Sequence, residues 1–189
     1  MTLTTTVPPT TTPLSLSDAK DACSVTGSEW DLLIDRLTRA AAAEVETILR
    51  QRLITQTVEW TLDGFASPGL VIPVWPIQSI AAVAYTDAAG VNQTLDASAY
   101  RLVRSRRPCE LHPVYGTTWP VTRDEPGAVT IEIVAGYGAA SDVPADIVQA
   151  MALLVAHAFE HREAVVLGSS VAELPHGVRS KLMPHVFWV

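Results

Sequence analysis

Three short stretches of this chain carry residue types that could do chemistry. The first, His157-Ala158-Phe159-Glu160-His161, spells H-x-x-E-H. Two histidines four apart share a helix face and could hold Zn²⁺, with the glutamate as the base of a zinc-dependent hydrolase. Such a centre needs a third protein ligand, and only Glu163 and Glu173 follow closely. The plainer reading, which we adopt, is of polar residues at the wet end of a core helix. The second stretch is Gly136-Tyr137-Gly138, placed after a strand-like run and before a helical one, where a dinucleotide fingerprint would lie. Ser141 stands at the third glycine position and no alternating βαβ units surround it, so it reads as a turn needing positive φ angles. The third, Ser169-Ser170 beside Gly168, is not a G-x-S-x-G elbow and has no base and acid placed for it. These residues do not make an enzyme, and the expectation is of no catalytic residue, no metal and no cofactor.

The element that would carry H-x-x-E-H runs from Ala145 to Glu163. Ile147, Ala150, Met151, Leu154, Val155 and Ala158 recur at three and four places, the spacing of one helix face. Val148, Ala152, Leu153, Ala156 and Phe159 make the other side hardly less apolar. The run from Ile147 to Phe159 is too short for a bilayer, which takes about 20 residues, so no membrane is expected. A helix apolar nearly all round is expected to be sandwiched, with one face in its own core and another against a neighbouring element or subunit. Asp142 reads as its N-cap, Pro144 suits its first turn, and His161 and Arg162 complement its negative end.

A second long helix is expected from Glu29 to about Arg52, capped by Ser28, with Trp30, Leu33, Ile34, Leu37, Ala41, Val45 and Ile48 as its stripe. A short helix opens at Leu16, with Ser17 as its cap. Between the long helices the period changes to two. Ile54 to Leu62, Leu70 to Trp75, Ile77 to Thr86, Tyr100 to Arg104 and Ala128 to Val134 read as strands, kept short by frequent prolines. The expected fold is therefore α+β: a small helical bundle of two long helices plus short ones, an inserted antiparallel β module, and extended termini. Residues 1–15 read as a flexible Thr/Pro-rich arm and 16–183 as one domain, with helices in 16–53 and 144–183 and the β insertion at 54–135. Residues 184–189 read as an apolar tail.

Composition narrows the partners. The 189 residues carry a net charge of −7 and are 48% hydrophobic, which supplies a core but argues against broad binding to a phosphate backbone. One basic cluster, Arg101, Arg104, Arg106 and Arg107, could touch an acidic partner; the plainer reading is a solvated hairpin edge. Cys23 and Cys109 stand in no metal spacing and read as ordinary thiols of a reduced compartment. The opening residues have neither a basic nor an apolar region of signal-peptide type.

With the order helix, long helix, β insert, long helix, short helix and tail laid out, particular stretches become recognisable. They are Leu16-Ser17-Asp18-Ala19-Lys20, Ile77 to Asp87 with Gly90, Ala99-Tyr100-Arg101, and Val114 to Pro120. Others are Pro126 to Thr130, Ala135 to Gly138, Val143 to Ala150, His161 to Glu163 and Glu173 to Val178. In this order the chain resembles the head–tail connector proteins of tailed bacteriophages, also called head-completion adaptors, and their counterparts in gene transfer agents. The resemblance covers nearly everything after residue 14; the Thr/Pro arm and the end Phe187-Trp188 depart from it.

The resemblance implies a virion protein made in the host cytoplasm and assembled in the neck. It implies a ring, usually of twelve subunits, beneath the portal protein ring, extending the channel through which double-stranded DNA passes without specific binding. The ring would receive a tail-proximal neck or tail terminator protein. The alternative is a tail-completion protein on the tail side. On this reading Leu182, Met183, Val186, Phe187, Trp188 and Val189 form a portal-docking tail. Trp30, Leu33, Leu37, Met151, Leu154, Val155 and Phe159 supply core and lateral helix contacts. Arg104, Arg106 and Arg107 sit on a partner-contact loop facing portal, capsid or a neighbouring subunit.

Overall fold

A computed structural model describes residues 2–66, 68–161 and 176–186. The chain divides into two compact units, one built from Thr55–Gly136 with the N-terminal segment up to Pro9, the other from Thr10–Ile54 with the described residues from Tyr137 to Val186.

The first unit is all β. Its strands are β1 (Thr2–Val7), β2 (Gln56–Leu62), β3 (Leu70–Val71), β4 (Ile77–Thr86), β5 (Asn92–Thr94), β6 (Tyr100–Val103), β7 (Glu110–Pro113) and β8 (Val129–Ala135). They form a five-stranded sheet in the order β1-β2-β8-β4-β5 and a three-stranded sheet β3-β7-β6, with every pairing antiparallel. The strict alternation of β8 explains its place. Val129, Ile131, Ile133 and Ala135 are all buried while Glu132 points out, the two-residue period of a strand with one face in a core. Across the sheet Trp60 lies opposite Ile131, which in turn lies opposite Val83, giving a buried row three strands wide. Leu70, Ile72 and Leu111, from the smaller sheet and the chain beside it, belong to the same cluster, so the two sheets share one core. Each fully buried large side chain there contributes about 1.5–3 kcal/mol over leaving it in water.

The second unit holds α1 (Leu16–Ala22), α2 (Asp31–Leu49), α3 (Ala145–Glu160) and α4 (His176–Leu182). Ile34, Val45 and Leu49 of α2 and Ile147, Met151 and Val155 of α3 are buried in one cluster, with Val178 and Leu182 of α4. The buried edge of α2 is Ile34, Thr38, Ala41, Val45 and Leu49; it shares Ile34, Ala41 and Val45 with the expected stripe, and Leu37 and Ile48 pack half-buried against it. Trp30 stands at the N-cap and is 40% exposed, and Leu33 and Leu37 are half-buried. A threonine tolerates the core position because its hydroxyl donates to the Ile34 carbonyl at 2.8 Å, leaving no polar atom unpaired. Ser15, not Ser17, caps α1, accepting from the Asp18 amide at 3.1 Å. Asp142 caps the turn before α3 instead, accepting from the Ala139 amide at 2.8 Å. Arg162 and Glu163 lie outside the described residues.

The expected helical bundle with a small β insertion is overturned. The described residues contain helices of 7, 19, 16 and 7 residues beside eight strands in two antiparallel sheets, a β-rich fold. Helical periodicity stands out in a sequence, whereas most of these strands are short and several are bounded by prolines. The first of them, Thr2–Val7, is threonine-rich and nearly all exposed, so no apolar pattern announces it. Its backbone is ordered by pairing with β2, Leu3 lying opposite Trp60.

Candidate functional site

The H-x-x-E-H residues sit at the exposed end of α3. His157, Glu160 and His161 are all exposed, and the two imidazoles lie edge to face with centroids 4.6 Å apart. Among the described residues no three of His, Cys, Asp and Glu are grouped to hold a metal ion; Glu163 and Glu173 lie outside them. Gly136 and Gly138 have φ of 125° and 139°, the left-handed side of the map that favours glycine. A Cβ on Gly138 would also run into the Asp142 carboxylate. Gly168, Ser169 and Ser170 lie outside the described residues.

The arginines expected on a partner-contact loop stand between β6 and β7, and each is held by its own unit. Arg104 donates to the Gln78 carbonyl at the start of β4. Arg106 grips Glu110 with one guanidinium nitrogen 2.9 and 3.1 Å from the two carboxylate oxygens. Arg107 lies over the Trp75 ring, 4.5 Å from its centroid, a cation–π contact. His112 meets the same carboxylate at 2.6 Å. The His112 bond first, and then that of Arg106, hold the Glu110 carboxyl below its ordinary range. All three arginines are nonetheless exposed. Burial pushes the Cys109 thiol up, with Arg104 and Arg107 opposing; burial and then Glu160 push Cys23 up. Both cysteines are free.

The segment expected to dock on a portal begins inside the helical core. Leu182 is buried, Met183 is 45% exposed, and Val186 packs on the core from its surface. Phe187, Trp188 and Val189 lie outside the described residues. Of the expected helix contacts, Met151, Leu154 and Val155 are buried, whereas Trp30 meets Phe159 edge-on at 5.8 Å, nearer the surface.

Sequence reasoning missed two features. Gln51, 3% exposed, donates to the His185 carbonyl and accepts from the Tyr137 hydroxyl at 2.6 Å. Nothing in its neighbours hints at burial. The other is the loop 114–121, whose Trp119 stacks flat on Phe65 at 4.7 Å while Tyr115, at a turn closed by Thr117, is 97% exposed.

No protein-family model matches the chain, and no curated protein does. Solved structures do. The whole chain superposes on 97% of a chain from the neck of an empty gene transfer agent particle computed with C6 symmetry, with a TM-score of 0.83 and 26% identity. It superposes equally completely on a chain of the virion of the native gene transfer agent particle, at TM-score 0.80 and 25% identity. A third match, in the neck of the native particle computed with C12 symmetry, has TM-score 0.78 and 25% identity. The resemblance to adaptors of gene transfer agents, read from short stretches of sequence, thus holds over the full length in three dimensions.

Proposed function

We propose that this chain, sharing its fold end to end with neck proteins of gene transfer agent particles, is itself a structural neck protein of such a particle or of a tailed phage. The observation that carries the reading is the complete overlap at TM-score 0.83, with neither chain left with a large unmatched domain. Its work is assembly rather than turnover. Copies form a ring on the portal, extend the DNA channel and offer the surface on which tail components attach. The surplus of acidic groups in the net charge of −7 suits a wall along which DNA slides without sticking.

The segment from Leu182 to Val189 docks on the portal, with Phe187 and Trp188 as anchors. Aromatic side chains suit this role, since a few of them dominate most interfaces. Sedimentation of the purified protein with its candidate portal ring tests the reading. About one copy bound per portal subunit is expected, and binding only to a tail-tube protein would move the chain to the tail side. Deletion of Pro184 to Val189 should abolish portal binding, at a cost in stability because it removes the His185 carbonyl held by Gln51 and the packed Val186; retained binding would remove the tail from the account.

A further inference from the structure

The β unit is electrically polar along its longest strand. At the start of β4 the Arg104 guanidinium caps the Gln78 carbonyl, and Arg106 and Arg107 stand beside it on Glu110 and Trp75. Eight residues after Gln78, β4 ends at Thr86, about 26 Å away for an extended strand. Here the charges are of the other sign. The Thr86 carbonyl accepts from the Arg123 amide, and Asp87 bridges to Thr122, which brings the turn carrying Asp124 and Glu125 to this end. Asp63 joins them by accepting from the Gly127 amide at 3.0 Å. This end thus carries four carboxylates and one arginine, Arg123, which pairs with Glu125 at 3.3 Å. Each end also shows apolar surface. Val91 and Val121 are 54% and 77% exposed near the acidic end, and Val71, opposite Glu110 in the ladder, is 47% exposed near the basic one.

From this geometry we infer that the two ends are halves of one interface: the arginine end of each copy docks against the acidic end of the next. The occupant is therefore a second copy of this chain. A nucleic acid would complement only the basic end, whereas a second copy complements both at once, with apolar groups at the centre and charges at the rim. A head-to-tail contact between two different patches is also what closes a ring, and the patches must lie on nearly opposite sides of a subunit when each copy turns only slightly from the last. Opposite ends of one long strand meet that demand. The inference rests on the neck reading and names the surface it leaves open.

The test uses full-length chains on the candidate portal ring, reading occupancy and its cooperativity by sedimentation. R106E/R107E makes both ends acidic, and D124K/E125K makes both basic. Each variant alone should fill the ring about tenfold or more less well than the wild type, since like charges then meet. An equimolar mixture should restore filling, with the two chains alternating. Normal filling by either variant alone overturns the inference, and so does a loss that mixing fails to rescue, because the arginines then face a different molecule. R107Q and D124N, which reverse nothing, should weaken filling in the same order, and salt should weaken the wild type. A wild-type chain that ignores the portal altogether overturns the neck reading itself, whereas a wild-type chain that fills the ring and is matched by all four variants overturns only this one.

Discussion

The side-chain amide of Gln51 donates to the main-chain carbonyl of His185, 134 positions further along the chain. Its oxygen accepts from the Tyr137 hydroxyl at 2.6 Å. One buried carboxamide therefore ties the end of α2, where Arg50 turns left-handed at φ 54°, to the approach to α3 and to the point where the chain leaves α4. Gln51→Ala leaves the hydroxyl and the carbonyl without this partner, at a cost of about 1–3 kcal/mol. For a chain of this size the melting temperature should fall by about 2–4 °C per kcal/mol. An unchanged melting curve would show that water replaces the glutamine without loss.

The cap of α1 separates two serines of the same type two residues apart. Ser15 accepts from the Asp18 amide, so Ser15→Ala should cost about 0.5–2 kcal/mol in denaturant unfolding. Ser17 makes its contact with the Ser15 hydroxyl at 2.8 Å and caps nothing, so Ser17→Ala should stay within about 0.5 kcal/mol of the wild type. Equal effects at the two positions would contradict the cap.

Phe65 and Trp119 stack with an interplanar angle of 4°, fastening the loop that presents Tyr115. A double-mutant cycle through F65A and W119A should return a coupling of about 0.5–1.5 kcal/mol. Strictly additive losses would mean the rings are merely neighbours.

Acid should loosen the β unit through Glu110. His112 first and Arg106 next hold its carboxyl below the ordinary range. A carboxyl with a depressed folded-state pKa stabilises fully above its unfolded value, about 4.3, and loses that contribution as pH falls through the folded value. The melting-temperature gap between wild type and E110Q should thus be open at pH 7 and narrow progressively as pH falls below the unfolded value. A gap of constant size across that range would exclude the linkage.

What the sequence discloses depends on how locally each element is specified. The stretch Val129–Ala135 writes its role into its alternation, and the glycines at 136 and 138 announce the turn that follows. The long apolar periods of α2 and α3 are equally plain, yet they draw attention from the strands, whose total defines the fold. Thr38 shows the limit within a helix: a hydroxyl satisfied by its own backbone enters the core, while the large apolar Trp30 stays 40% exposed at the N-cap. Residues 2–7 show the limit between elements. Threonine favours strands, but nothing local says that their partner begins at Gln56. The opposite charges at the two ends of β4 are hidden for the same reason, since Asp63, Asp87 and Asp124 come to one end only once the sheet is assembled.

The position of β8 has a consequence for synthesis. Among the described residues it is the last strand to be made, and it lies between β2 and β4, with seven ladder pairs to each. Until Val129–Ala135 has emerged from the ribosome, the two strands it joins each keep an open edge toward the gap. The sheet then closes in one late zippering step rather than hairpin by hairpin, which favours slow folding and leaves sticky edges exposed while translation is under way. Nascent chains halted before residue 129 should accordingly be the ones that chaperones hold.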